Sequence, residues 1–565
     1  MSGPLELQAY RRAGVVSRDD IAATDLLVGM ARRDGAAEPP LLAWVGMCLA
    51  LRTVRDGHTC VDLGRIEEWA GDLDPGASEW PTAVAWRVAL EAAPALVGAP
   101  GDRRPFILDG RRLYLARSLA EEESIARALR ARAAQGTVGI LLGGPGTGKT
   151  TKVARDLVAR FDGLAPGDAA PRIALAAPTG KAAARMSEAV RTACQRAAAA
   201  PELIERILAE PARTVHALLG FHPGKAERFA YRAGNCLPYD IVIVDEASML
   251  SSTLMHHLLA AVRPDAEVRL VGDPDQLASV DAGTVLGDIA VFGGAEHARS
   301  SLHGRIETLE KVYRAESRAI LDLARAIRGG DSAAALAILR AGDATVAWVD
   351  PDAKAALDRL EREVGAHAAR LRAAARGGDP RTVLETKAAL QVLCGHREGP
   401  LGVTGWNARI ERGLGVGPAE VWYPGRPVIV TRNSRALGLA NGDVGVIVPL
   451  ETGRGIGAEP AGETRMQALF GLPEQVMRLP VSRLEDIATV HALTIHKSQG
   501  SEYDHAVVVL PERPSRIVTR ELLYTGVTRA RQQVTVVGSE DVIRAAIDRR
   551  IRRATGLTER LDDGA

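Results

Sequence analysis

The sequence has no apolar run approaching the roughly 18 residues that a membrane-spanning helix needs, and no N-terminal stretch that joins a basic start, an apolar segment and a small-residue cleavage site. A cytoplasmic protein is the expectation. Its five cysteines, Cys48, Cys60, Cys194, Cys236 and Cys394, never fall in a C-x-x-C pair, which removes the usual zinc and redox signatures and leaves buried free thiols. An excess of one charge is missing as well, since 71 Lys and Arg stand against 70 Asp and Glu. A net charge of +1 says nothing about nucleic acid by itself, because a basic groove can be balanced by acidic surface elsewhere. Partners therefore have to be read from motifs. What is present is ordinary globular composition, 46% hydrophobic and 25% charged. At 565 residues that is too much chain for one core, and the length points to three or four domains.

Residues 1 to about 115 read as mostly helical, with "TDLLVGMARR", "PLLAWVGMCLALRTV" and "GRIEEWAGDL" carrying apolar residues at i, i+3 and i+4. From 136 to about 335, short runs rich in branched residues ("TVGILL", "RIALAAP", "DIVIVDEA", "EVRLVGD") alternate with helical stretches, the pattern of a parallel sheet covered by helices. After an Ala/Arg-rich helical section, "LQVLCG", "HALTIHKSQG", "HAVVVLP" and "QVTVVGS" repeat the pattern as a second α/β domain. Between "VWYPGRPVIVTRN" and "VMRLPVSRL", short strands with Gly, Asn-Gly and Pro turns predict a small β-rich insertion over residues 420–485. The predicted division is 1–115, 116–335 and 336–565. The basic "DRRIRRATGLTER" near the C-terminus reads as a solvated helix face, with nucleic-acid contact as the alternative.

Gly143 to Thr150 spell G-x-x-x-x-G-K-T between an apolar strand and a helix, the context that a P-loop requires. Holding linked phosphates calls for backbone N–H groups that can approach closely and for the partial positive charge of a helix N-terminus. The candidate ATP contacts are Gly143, Gly144, Pro145, Gly146, Thr147, Gly148, Lys149, Thr150 and Thr151. Lys149 is expected on the β- and γ-phosphates and Thr150 on Mg²⁺. "YDIVIVDEAS" is an apolar strand ending in two carboxylates, so Asp245 is expected to bind Mg²⁺ and Glu246 to orient and deprotonate the attacking water. A surface acidic pair is the plain alternative. "EVRLVGDPDQLASV" places Gln276 just beyond another strand, where a polar side chain can report the γ-phosphate.

The P-loop, "VDEAS", "GDPDQLASV", "TIHKSQGSEYD" and "LLYTGVTRAR" stand in the order and spacing of superfamily 1 helicases, over about residues 140 to 540. Further stretches, "APTGKAAARM", "TVHALLG", "VYRAESRAILDLARAIRGGD", "LCGHREGPLGVTGWN" and "NGDVG", resemble the RecD family, the alpha subunits of bacterial exodeoxyribonuclease V. The resemblance implies an α/β fold of two RecA-like P-loop domains, with a helical N-terminal domain and a small SH3-like β insertion. It also implies ATP in the cleft and 5′ to 3′ movement on DNA, as a motor subunit of a RecBCD-type complex with RecB-like and RecC-like partners. Arg314 in "VYRAES" and Arg529 in "VTRAR" resemble the two arginines that reach the γ-phosphate from the second domain, and Glu502 resembles the ribose contact. A structural ion pair is the alternative for each arginine.

The DNA-facing candidates are Pro178, Thr179, Lys181, Thr214, His216, Thr431, Asn433, Thr494, His496, Lys497 and Ser498, whose hydroxyls, amides and cations at loop tips suit phosphate contact without sequence readout. A buried core histidine is the alternative for His216. Trp406, Trp422 and Tyr423 are read either as stacking platforms for bases or as core, with core favoured for Trp406. Residues 221–240 are read either as a strand-separating hairpin or as a plain connection. The glutamine that reads adenine ahead of the family's P-loop has no evident counterpart, and no D-x-K nuclease cluster is visible, so cleavage would belong to a partner. The competing functions are a stand-alone RecD-like helicase, an RNA helicase, and a structural ATP-binding subunit without translocation.

Overall fold

The computed structural model describes residues 7–66, 80–164, 169–222, 224, 228–312, 317–417, 420–434, 436–450, 465–472 and 475–562. Two parallel sheets carry most of it, built from short Val, Ile, Leu and Ala runs that are largely buried, as a sheet covered on both faces demands. In the first, the strand order is Ile306–Leu309, Val138–Gly143, Glu267–Gly272, Ile241–Val244, Ile173–Ala177, Arg213–Thr214, and every pairing is parallel. In the second it is Val346–Val349, Ala530–Val537, Tyr503–Val509, Leu390–Cys394, Ala492–Thr494, again all parallel. The motif residues of the first sheet follow the carboxyl ends of four neighbouring strands, the edge at which open α/β sheets present their ligands.

The β-rich insertion is a five-stranded antiparallel sheet in the order Gln475–Pro480, Met466–Leu472, Val444–Pro449, Pro427–Val430, Ile487–Thr489. In the N-terminal region, the helices Arg18–Arg33 and Leu41–Arg55 stand where the periodicity put them, the first closed by a reciprocal cap between Ser17 and Asp20. The stretch "GRIEEWAGDL" lies largely outside the described residues. Beside the helices runs a four-stranded sheet, Cys60–Asp62, Arg112–Leu115, Phe106–Asp109, Val97–Gly98, that the mostly helical reading did not contain. Its strands are two to four residues long, too short to display an alternating pattern.

Two boundaries differ from the sequence expectation. The helix Arg318–Gly329 buries Ile320, Leu323, Ala324 and Ile327 in the core of the second sheet, so the second α/β domain already includes this helix rather than beginning near 335. The basic C-terminal stretch is not a solvated face. It returns to the first domain, where Leu557 and Leu561 are wholly buried in the core that also holds Ile125 and Leu129 of the helix Ala116–Gln135. The leucines lie among charged neighbours, and the charge masked the apolar pair.

Candidate functional site

The P-loop leaves its strand at Gly143 and enters the helix Lys149–Asp162, with Gly146 and Gly148 in the left-handed region at φ 75° and 84°. A Cβ on Gly143 would stand 2.6 Å from Thr147 Oγ1 and 3.0 Å from the Leu309 carbonyl, so the turn closes only around a hydrogen. Lys149 Nζ donates to the carbonyls of Gly143 (2.5 Å) and Gly144 (3.0 Å), which folds the ammonium into the turn. Asp245 follows the strand Ile241–Val244 and accepts from the Glu246 N–H at 2.8 Å. Burial first, then the adjacent Glu246, holds its pKa above the usual carboxylate range against the pull of Lys149. Glu246 itself has φ 52° and ψ 39°, a left-handed backbone that costs a non-glycine residue about 1 kcal/mol or more, so the surrounding structure aims this carboxylate.

The P-loop faces a cleft of about 920 Å³ shared with the second domain, lined among others by Asp273, Asp275, Arg325, Arg328, Glu502, Tyr524 and Arg531. Links between the two domains cross it. Arg529 Nη2 donates to Gln276 Oε1 at 2.9 Å, while its Nε and Nη1 hold the carbonyls of Thr525 (3.0 Å) and Ser501 (3.3 Å). Gln276 Nε2 in turn donates to Asp273 Oδ2 at 3.0 Å, and the Tyr524 hydroxyl donates to the same oxygen at 3.1 Å. Tyr524 also overhangs the P-loop: a Cβ on Gly144 would lie 3.0 Å from its hydroxyl. Leu277 is buried in the second domain's core, its N–H donating to Thr525 Oγ1 and its carbonyl accepting from Gln499 Nε2, both at 3.0 Å. At the rim Arg328 stands 4.0 Å from Asp275.

Behind the cleft wall, Lys149 is held by the P-loop carbonyls, Asp245 is in electrostatic contact with Lys149 and bonded to the Glu246 N–H, and Gln276 and Arg529 join the wall through Asp273. Glu502 lines the cleft itself, paired with Arg531 at 3.1 Å. Arg314 lies outside the described residues. Sequence reasoning named neither Tyr524 nor Leu277, Asp275 or Arg328. The quoted motif strings contain all four, but only the three-dimensional pairing shows what each touches.

The DNA candidates fall into two neighbourhoods. In one, Thr179 caps the helix Gly180–Arg196, and Gly180 packs so tightly on the insertion that a Cβ there would stand 2.7 Å from that of Ala440. The exposed Thr431 and Asn433 belong to this insertion edge, Asn433 Oδ1 accepting from the Asn441 N–H at 2.7 Å. Lys181 is half-buried: its ammonium lies 6.0 Å over the Tyr503 ring, and burial, Arg185 and Lys387 lower its pKa to about 7. In the other, Thr214 caps the turn that carries His216, and His496 and the exposed Lys497 follow Thr494. Burial holds His496 below its ordinary pKa, so at neutral pH it acts as a neutral hydrogen-bonding group rather than a cation.

Ser498 is a correction: it is wholly buried and its hydroxyl donates to the Ile495 carbonyl at 2.6 Å, shaping the loop rather than meeting a strand. His216 is exposed yet packs edge-on against Phe221 at 5.4 Å, beside Phe229. Phe221 and Phe229 form an antiparallel bridge, as do Arg232 and Asn235, so residues 221–240 are folded into short hairpin turns where described. Trp406 and Tyr423 are core residues, the latter bonded to Glu411 and His491.

Three family models match the chain: the RecBCD enzyme subunit RecD N-terminal domain over residues 13–114, an AAA domain over 126–282, and the UvrD-like helicase C-terminal domain over 489–537. A RecBCD enzyme subunit RecD of Mycolicibacterium smegmatis is 42% identical, covering 93% of this chain and 95% of its own. That of Mycobacterium tuberculosis is 40% identical over 98% and 96%. An ATP-dependent RecD2 DNA helicase of Deinococcus radiodurans is 32% identical over 75% of this chain but half of its own. The chain belongs to the RecD subunit family of RecBCD enzymes and is a DNA helicase ATPase.

Proposed function

We propose that the chain is the ATP-driven 5′ to 3′ motor subunit of a RecBCD-type helicase-nuclease, working in the cytoplasm with RecB-like and RecC-like partners in double-strand break repair. The observation that carries the motor reading is the hydrogen bond from Arg529 to Gln276, which joins the two sheets at the nucleotide cleft. A subunit role is supported by the RecD N-terminal domain and by relatives of the same name matched over almost their full length, whereas the RecD2 helicase is matched over only half.

In this reading Lys149 exchanges its carbonyl partners for β- and γ-phosphate oxygens, Glu246 takes the proton of the attacking water, and Gln276, Arg529 and Arg314 meet the γ-phosphate. The Thr150 hydroxyl and the Asp245 carboxylate, with Glu246 beside it, are hard oxygen donors of the kind Mg²⁺ accepts. Bound there, Mg²⁺ would neutralise phosphate charge. Glu502 is assigned to the ribose side. Pro178, Thr179, Thr214, His216, Thr431, Asn433, Thr494, His496 and Lys497 are assigned to the DNA path.

Strand displacement with ATP and Mg²⁺ on duplexes bearing a 5′ or a 3′ single-stranded tail, with Lys149→Ala as control, tests the polarity. Unwinding from the 5′ tail alone is expected, by the chain itself or once partner subunits are co-expressed. Unwinding from the 3′ tail would overturn the assignment.

A further inference from the structure

After the helix Glu540–Asp548 the chain is still fastened to the second domain. The Arg520 N–H donates to the Arg549 carbonyl (2.8 Å), Arg549 Nη1 to the Ser515 carbonyl (2.5 Å), and the Ile551 N–H to Glu521 Oε2 (3.0 Å). Two residues on, it is fastened to the first. Arg553 Nη1 donates to the carbonyls of Asp281 and Gly283, both at 2.8 Å, and Nη2 to that of Ser279 at 2.5 Å. The next residues continue into the N-terminal region, where the Ala554 N–H donates to His58 Nδ1 and the Ala554 carbonyl accepts from the Thr59 N–H. Only Arg552 separates the two sets of anchors, and two residue steps span at most about 7 Å.

Arg553 grips the far half of the loop that begins at Asp273 and carries Gln276. The near half is committed elsewhere, because Leu277 is buried in the second domain and bonded to Thr525 and Gln499. Three carbonyls on one guanidinium are a charge-assisted fork that neutral donors do not reproduce. Gly57, at φ 89°, leaves the space this needs: a Cβ there would lie 2.8 Å from the guanidinium carbon.

We infer that Arg553 is a positioning residue for ATP hydrolysis: the C-terminal strap that it heads fixes the loop behind Gln276 and is a second short link by which movement of the second domain registers on that loop. None of the three family matches reaches residue 553. The inference rests on the reading of Gln276 as the γ-phosphate sensor.

The test uses the full-length chain, measuring DNA-stimulated and single-turnover ATP hydrolysis for the wild type, Arg553→Ala, Arg553→Lys and Gln276→Ala, with amide hydrogen exchange over residues 277–284. Arg553→Ala should lower kcat about tenfold while KM for ATP moves less than about twofold, and exchange should quicken in that loop. Arg553→Lys should recover part of kcat, since an ammonium can serve some of the carbonyls. It also decides the question by the same kcat against KM split if the alanine variant does not fold. Unchanged kcat despite faster exchange overturns the inference, as does a KM effect alone. Slower hydrolysis in Gln276→Ala but not in the Arg553 variants overturns the strap's role and leaves the sensor standing. Normal hydrolysis in Gln276→Ala removes the sensor and the inference with it.

Discussion

In a double-mutant cycle on Gln276 and Arg529, hydrolysis should depend on the pair rather than on each residue separately. Arg529 is buried and spends three of its donors on the second domain's own backbone and on Gln276, so the guanidinium is held in place from behind and aimed through one amide oxygen. A hydrogen bond between a charged group and such an oxygen contributes about 1.5–3 kcal/mol. Arg529→Ala should slow single-turnover hydrolysis about 10³-fold, the lower end for an arginine acting in trans on phosphoryl transfer. Gln276→Ala should cost about 10²-fold, as for the loss of one aimed donor. Independent action would make the double variant about 10⁵-fold slow, whereas steering of Arg529 by Gln276 leaves it near 10³-fold, a coupling of about 2–3 kcal/mol. The assay is quench-flow hydrolysis of labelled ATP at saturating single-stranded DNA and Mg²⁺, with nucleotide affinity measured separately. Effects that add within about 0.5 kcal/mol refute the coupling, and a pure binding defect in Arg529→Ala refutes its role at the γ-phosphate.

Lys149→Ala should abolish hydrolysis while circular dichroism and unfolding temperature stay near those of the wild type; normal turnover would refute the P-loop assignment. Glu246→Gln should bind ATP and assemble normally but hydrolyse it slowly in a single turnover, and undiminished hydrolysis would remove Glu246 as the base. Asp288 carries a stability prediction: burial first, then Glu122, raises its pKa to about 7 against three threonine hydroxyls. A folded pKa above the unfolded one gives stability in acid that is lost as pH rises from about 4 through 7, a linkage bounded at about 4 kcal/mol. Asp288→Asn should therefore gain on the wild type by about 1–2 kcal/mol more at pH 8.5 than at pH 5.5 in urea unfolding, and an equal difference at both would refute it. Ser498→Ala should leave single-stranded DNA affinity within about twofold, whereas Lys497→Ala should weaken it and lower the salt slope by about 1.

What the sequence made legible is what has a fixed local signature. The P-loop, the acidic strand end and the two α/β patterns are short stretches whose chemistry and periodicity are contained within about ten residues each. Gln276 is legible as a polar residue just beyond such a strand, whereas Arg529 is legible only through the resemblance of "VTRAR" to the helicase family. The remainder depends on long-range packing. Nothing local distinguishes Ser498, buried by its own turn, from the exposed Lys497 beside it. Lys181 looks like any loop-tip lysine until Tyr503, 322 positions away, is placed under it. Arg553 sits in a basic run that reads as solvent-facing, and only the fold brings three carbonyls to it. The short strands beside the N-terminal helices fail for a different reason, since two to four residues cannot show a period.

The cleft and the loops proposed to meet DNA are joined by a chain of contacts only a few residues long. Gln276 meets Arg529; the next residue, Leu277, is bonded through its carbonyl to Gln499; and Gln499 closes the loop that bears Lys497 and His496. The following residue, Gly500, receives Arg185 Nη1 on its carbonyl at 2.9 Å and packs on Ala182, both on the helix that Thr179 caps. If Gln276 senses the γ-phosphate as proposed, a change there bears on two loops proposed to face DNA, one from each domain, by way of Leu277 in the second domain's core. Such a path is a physical coupling only if its elements have two arrangements; in the proposed motor, the links that cross the cleft would hold while the domains are apposed and break when they part. Hydrolysis would then shift both loops in one step, because Leu277 follows the proposed sensor directly and is bonded to the loop that bears Lys497.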